Sequence, residues 1–140
     1  MEIRRLGPGD EVVVAAAARL FDHPPLPDAT RRFLNEPGHH LLMAFDGADA
    51  VGFVSGVEAT HPDKGTELFL YELGVAEEAR GRGVGRALTA ALADLGRERG
   101  CYGMWVLTEE GNAAARRTYA AAGGRDRGPT IMVDWDLTNG

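Results

Sequence analysis

The sequence predicts an α/β domain: a mixed β-sheet flanked by about four helices. Three observations predict it. In the second half of the chain, strand-like runs at 67–75, 102–108 and 130–137 alternate with helical stretches at 82–99 and 112–122, an order that favours some parallel pairing. In the first half, apolar runs at 40–45 and 50–58 flank Asp46-Gly47, a hairpin turn signal. The 140 residues are 44% hydrophobic and 26% charged, the balance of a single globular domain, here 1–140. A chain of this size buries roughly two-thirds of its unfolded surface, enough for a core without staples.

The elements follow in order. Residues 2–6 read as a short first strand. Residues 10–22 carry Val12, Val13, Ala16, Leu20 and Phe21 at roughly helical spacing. The prolines of His23-Pro24-Pro25-Leu26-Pro27 end that helix, because proline has no N–H to donate. Residues 28–34 form a second short helix, stopped by Pro37-Gly38. The two hairpin strands come next, then a polar turn from His61 to Gly65, then the most strand-like run, 67–75. Val84, Leu88, Leu92 and Leu95 make the apolar stripe of the long helix. The alanine-rich helix at 112–122 ends at Gly123-Gly124. The expected order is β-α-α-β-β-β-α-β-α-β.

Composition excludes several classes. The net charge is −6, a poor footprint for bulk nucleic acid and a favourable one for cationic small molecules. No apolar run approaches the roughly 18 residues of a membrane span, and Met1-Glu2-Ile3-Arg4-Arg5 is not a secretory leader. A cytoplasmic location follows as the expectation. The lone Cys101 allows no internal disulfide and no cysteine-cluster metal site, and packing accounts for it. His23, His39, His40 and His61 show no ligand spacing and read as surface residues; no metal is expected.

The stretch that carries chemistry is residues 72–86. An apolar strand runs into a glycine-rich loop and then the long helix. Helix N-termini have unpaired N–H groups and a positive dipole end. Gly81, Gly83 and Gly85 remove side chains there, and Arg80, Arg82 and Arg86 add positive charge. This is the physical logic of a pyrophosphate cradle, although glycine-rich turns also serve as plain connectors. The dinucleotide fingerprint fails in both registers, because Arg86 and Leu88 stand where glycine is required. A P-loop fails too: the only lysine is Lys64.

The run Arg80-x-x-Gly83-x-Gly85 after a strand resembles the acyl-CoA signature of the GCN5-related N-acetyltransferases (GNAT). Asn112-x-x-Ala115-x-x-x-Tyr119-x-x-x-Gly123 is similar to the downstream block of that family at the right spacing. Gly124 departs from it, since an aromatic usually follows the last glycine. The resemblance covers roughly residues 40–137. It implies a sheet whose parallel strands splay, with the pantetheine arm of acetyl-CoA paired to the main chain of Leu73, Gly74 and Val75. The diphosphate would rest on the amides from Gly81 through Arg82, Gly83, Val84 and Gly85 to Arg86. Asn112 and Ala115 fall in the block that contacts the cofactor, and Tyr119 matches the tyrosine facing the thioester sulfur. A phenol there can donate a hydrogen bond or a proton to the departing thiolate.

Direct acetyl transfer to an amine needs a base, because a protonated amine cannot attack. Glu72, just before the cofactor-binding main chain, is the candidate. A closer resemblance, to the short GNAT-type aminoglycoside 3-N-acetyltransferases, appears at Tyr71-Glu72-Leu73-Gly74-Val75 and at Val133-Asp134-Trp135-Asp136. It implies a homodimer, an antibiotic-resistance activity and an acceptor that is a small cationic amine. Asp134 and Asp136, two apart on a strand, would share one face and join Tyr71 and Glu72 in binding it. Glu58, Glu109 and Glu110 are further acidic candidates, and residues 23–38 would line the acceptor side. The alternatives are an acetyltransferase for a polyamine, an amino acid or a protein N-terminus, and a non-catalytic acyl-CoA-binding sensor module.

Overall fold

The computed structural model describes residues 1–138. Strand β1 (Glu2–Leu6) is followed by helix α1 (Glu11–Ala16), a short 3-10 helix (Ala18–Leu20) and helix α2 (Pro27–Asn35). Then come β2 (His39–Asp46), β3 (Asp49–His61) and β4 (Gly65–Val75). A second 3-10 turn (Glu77–Ala79) leads to α3 (Val84–Glu98), and β5 (Met104–Trp105) and α4 (Ala113–Ala121) follow. The five strands form one sheet in sequence order. The first four are antiparallel neighbours, and β4 and β5 are parallel. The mixed sheet with four helices is the predicted fold class.

Local chemistry explains the boundaries. The first helix is shorter than expected: after Ala16 it tightens to three residues per turn, which puts Ala17 and Leu20 on one buried side. Phe21 then stacks on Phe53 at 4.1 Å. Pro27 opens α2, where a missing N–H costs nothing. The Asp46-Gly47 signal holds: Asp46 pairs with Asp49, and Gly47 supplies φ +62°.

Helix α3 lies across one sheet face, and two glycines on β3 let it come close. A Cβ on Gly52 would stand 2.9 Å from Val84 Cγ1, and one on Gly56 would stand 3.0 Å from Leu92 Cδ1. The even-numbered residues at that end of β3 therefore face α3, and Phe53 and Ser55 face the other way. Leu68, Leu70, Leu88 and Leu92, all fully buried, seal this layer.

Two expected strands are corrected. The run 102–108 gives only the two residues of β5. The run 130–137 forms no strand: it lies in the open, with Ile131, Met132, Val133, Trp135 and Leu137 67–88% exposed. Its alternation is a demand for a neighbouring strand, and the two-residue β5 pairs only with β4.

Candidate active site

The site is organised by one irregularity. Strands β3 and β4 pair from His61↔Gly65 to Gly56↔Leu70 and resume at Ser55↔Glu72. Tyr71 is thus an extra residue, a β-bulge. In an unbroken strand residue 72 would follow Leu68 and Leu70 toward α3, because side chains alternate with period two. The extra residue turns Glu72 to the opposite face, with Ser55 and Phe69. The N–H of Glu72 donates to Ser55 Oγ at 3.2 Å, so a buried serine replaces the lost ladder bond.

Glu72 is half-buried on that face. Burial pushes its carboxyl pKa up, the nearby Asp22 carboxylate pushes it further, and His23 pulls it back in part. The segment after the first 3-10 helix therefore faces Glu72. A carboxylate raised in this way is a better base near neutral pH.

The bulge also opens the sheet. Strand β5 pairs with β4 only at Leu68↔Met104 and Phe69↔Trp105. Pairing stops where the bulge begins, because a bulge bends and twists the strand away from its neighbour. Among the described residues, no strand lies beside the edge of β4 between Tyr71 and Val75 on the β5 side. Along Leu73-Gly74-Val75 the main-chain groups of alternate residues turn to that edge. A Cβ on Gly74 would stand 2.6 Å from Leu20 O, on the inner side.

Past Val75 the chain makes the second 3-10 turn and reaches α3. Arg80 Nε donates to Val75 O at 3.3 Å, and Arg19 pairs with Glu78 at 2.7 Å, which fastens the turn. Gly81 and Gly83 have φ +77° and +81°, and a Cβ on either would meet nothing within 4 Å. The backbone conformation favours glycine at both positions. Gly83 is the N-cap of α3 and offers no side-chain cap. The first helical bond runs from Ala87 N–H to Gly83 O, which leaves the preceding amides free of helical partners. With Arg82 and Arg86 exposed alongside, the loop fits an anionic diphosphate, and the open β4 edge fits an extended arm that carries amides. Gly85 has another reason: its Cβ would crowd Thr118 Cγ2 at 3.2 Å and face Leu73 and Val75. It lets α3, β4 and α4 meet.

Tyr119 is half-buried on α4 and packs against the core; burial raises its phenol pKa, so it stays protonated. Asn112 caps the same helix, with Oδ1 accepting from Ala115 N–H at 3.1 Å. That bond gives Asn112 and Ala115 a structural role in starting α4. At its other end, Gly123 N–H bonds Ala120 O and Gly124 N–H bonds Tyr119 O, a Schellman closure. A Cβ at Gly124 would lie 3.0 Å from Tyr119 O.

Several expected residues lie elsewhere. Asp134 and Asp136 sit in the open C-terminal run, not side by side on a strand of this sheet; Asp136 Oδ1 accepts from Thr138 N–H at 2.9 Å. Glu58 is engaged by Arg99 and by His40 Nε2 at 2.6 Å. It faces the α3 side, remote in register from Glu72. His40, read as a surface residue, is 1% exposed. Its Nδ1 accepts from Arg5 Nη2 at 2.8 Å, so the proton sits on Nε2 and is donated to Glu58. Glu109 and Glu110 are exposed in the loop before α4. Sequence reasoning missed Ser55 and Asp22. The pair Gly52 and Gly56, read with period two, would have shown that Ser55 faces away from α3.

The model of the acetyltransferase (GNAT) family matches residues 11–123. The mycothiol acetyltransferase of Sanguibacter keddieii is 39% identical over 130 residues, 85% of this chain and 41% of that protein. N-acetyltransferase 8 of Rattus norvegicus is 26% identical over 111 residues, 79% of this chain and 50% of that protein. The chain spans about half the length of these curated relatives or less. Among solved structures, an aminoglycoside acetyltransferase from an uncultured soil metagenomic sample, in complex with sisomicin, superposes with a TM-score of 0.88. It is 17% identical and covers 97% of this chain and 95% of its own. The aminoglycoside N-acetyltransferase AAC(6')-Iy, bound to a CoA bisubstrate analogue, superposes with a TM-score of 0.83 at 20% identity, covering 97% and 98%. At these identities the solved structures speak for the fold. With the family model covering most of the chain, this protein belongs to the GNAT family of acetyltransferases.

Proposed function

We propose that this protein transfers the acetyl group of acetyl-CoA directly to an amine of a cationic small molecule, an aminoglycoside, at its 3-amino group. The observation that carries the reading is Glu72: a half-buried carboxylate at the bulge, raised in pKa, on the open stretch of β4 just before Leu73. Acetyl-CoA supplies an activated acyl group as a thioester. Main-chain groups of Leu73, Gly74 and Val75 hold its arm, and the amides and arginines of residues 80–86 hold its phosphates. Glu72 takes a proton from the ammonium group, directly or through one water, and frees the attacking lone pair. Tyr119 gives a hydrogen bond or its proton to the departing sulfur. The acceptor class rests on the acidic balance of the chain, the carboxylates of Glu72 and Asp22, and the resemblance of residues 71–75.

A thiol-release assay with acetyl-CoA against gentamicin, kanamycin, apramycin, spermidine and a peptide N-terminus tests this. Turnover with a drug, and mass spectrometry placing the acetyl group on its 3-amino nitrogen, is the expected result. Turnover with spermidine or the peptide alone replaces the acceptor and keeps the donor. Acetyl-CoA binding without any turnover favours the sensor reading.

The same reading takes the protein as a homodimer. Ile131, Val133, Trp135 and Leu137 alternate along an exposed run, and a second copy is the occupant that would cover it. Light scattering is expected to give twice the chain mass, and Trp135→Ser with Val133→Asp to give monomers. A monomeric parent protein overturns this.

A further inference from the structure

The bulge that turns Glu72 also creates an aromatic surface beside it. Phe69 and Trp105 are register partners on β4 and β5, and their rings stack at 4.2 Å with 16° between planes. Tyr71, the extra residue, meets the edge of Phe69 at 5.6 Å and 76°. Phe69 lies within the stack, while Tyr71 remains 63% and Trp105 41% exposed. Contiguous aromatic area left open next to a half-buried carboxylate marks a surface suited to a ligand. Acidic groups flank it on both sides. Glu72 stands at one end; at the other, Glu67 accepts from Tyr102 Oη at 3.0 Å and pairs with His61 at 3.1 Å. Aromatic faces between carboxylates attract a cation through the ring quadrupole and stack on the apolar face of a ring.

We propose that Tyr71 and Trp105, braced by Phe69, form an acceptor subsite that seats an ammonium-bearing ring next to Glu72. This rests on the acceptor reading above and adds to it a specificity surface. The ligand it fits is a cyclic polycation with one flat, hydrogen-rich face; an open-chain polyamine offers the charge without the face.

Two experiments test the subsite. In steady-state assays Trp105→Leu is expected to raise the KM for kanamycin about tenfold. The kcat should stay within about twofold and the KM for acetyl-CoA should not move; Trp105→Phe should restore most of the loss. Tyr71→Leu should act in the same direction, and spermidine should be affected less than kanamycin. An unchanged kanamycin KM in Trp105→Leu, or an equal loss with spermidine, overturns the proposal. The second experiment needs no turnover. In a Trp135→Phe background Trp105 is the single tryptophan, and kanamycin added without acetyl-CoA is expected to shift its emission. Kanamycin that binds by calorimetry without moving that emission, or fails to bind at all, overturns the subsite. A shift without acetylation of any amine leaves the subsite standing and removes the transferase reading instead.

Discussion

The two ends of helix α3 are built on opposite principles. At its C-terminal end, Arg99 reaches Glu58, Glu58 holds His40, and His40 accepts from Arg5. Each of these groups already has a partner within the chain. At its N-terminal end the amides after Gly83 lack helical partners, the β4 edge lacks a strand, and Glu72 is half-buried. Exposed N–H groups at a helix start are met by water, which a ligand with acceptor oxygens can replace. The contrast separates carboxylates that hold the fold together from those available for chemistry.

The largest effect expected from breaking this contrast is at Glu72. Glu72→Gln keeps the shape and removes the proposed base. It should lower kcat about a thousandfold, within the range of a general base, while calorimetry still shows acetyl-CoA binding. On the proposed reaction, the parent protein should lose activity on the acid side as Glu72 protonates. Because its pKa is raised, that limb should lie above the ordinary carboxylate range of about 4.3. Glu58→Gln should do the reverse: it should lower the melting temperature and leave kcat/KM within about twofold. Full turnover in Glu72→Gln would mean that the open end of the helix houses something other than the base.

The second test is the glycine loop. Gly83 has φ +81° with open space around it, so a side chain meets strain and whatever the loop binds. Asparagine tolerates this conformation. Gly83→Asn should therefore keep the loop, whereas Gly83→Asp adds a negative charge where a diphosphate is expected. The affinity for CoA should fall about a hundredfold in Gly83→Asp and far less in Gly83→Asn. Equal losses would mean that the loop serves only to start the helix.

Much of this was legible in the sequence. The glycine-arginine loop marks its own end of α3, the Asp46-Gly47 turn fixes the hairpin, and the spacing from Asn112 to Gly123 finds α4 with both its caps. What stayed hidden was cross-strand register. Nothing in the run Leu70-Tyr71-Glu72 announces a bulge, because a bulge depends on what β3 offers opposite it. The direction of Glu72, the shortness of β5 and the stack of Phe69 on Trp105 follow from that pairing. Nor does a sequence tell which carboxylates are already neutralised: Glu58 and Glu72 look alike until Arg99 and His40 are placed. The run 130–137 has strand chemistry in full and still lies open, since a strand exists only with a neighbour.

The closed end of α3 makes a prediction about acid. Burial, with help from the Arg5 and Arg99 charges, holds the His40 imidazole pKa below its ordinary value despite the pull of Glu58. The folded state thus binds that proton less readily than the unfolded chain. The contribution of His40 is present above about pH 6.5 and is lost as pH falls through the lowered folded value. Burial raises the Glu58 carboxyl, but its bonds to Arg99 and His40 outweigh this and hold it low. Its contribution is present above about pH 4.3 and fails further into acid. Melting temperature should therefore drop in two stages on acidification. His40→Gln should remove the first stage, at a cost of about 1 kcal/mol at pH 8. A first stage that survives in His40→Gln would place the titrating group elsewhere.

The smallest expected effect is at Cys101. It stands just beyond α3, its N–H donating to Gly96 O at 2.9 Å, and burial followed by the nearby Glu58 charge raises its thiol pKa. A nucleophilic cysteine needs the opposite: a thiolate stabilised by positive charge and open to substrate. Cys101 lies at the saturated end of the helix, away from the glycine loop. Cys101→Ala should keep kcat/KM within about twofold, and brief exposure to acetyl-CoA should leave no acetyl group on the thiol by mass spectrometry. An acetylated Cys101 that forms and decays at the rate of turnover would replace direct transfer with a covalent route and move the chemistry to the end of α3 that the geometry reserves for structure.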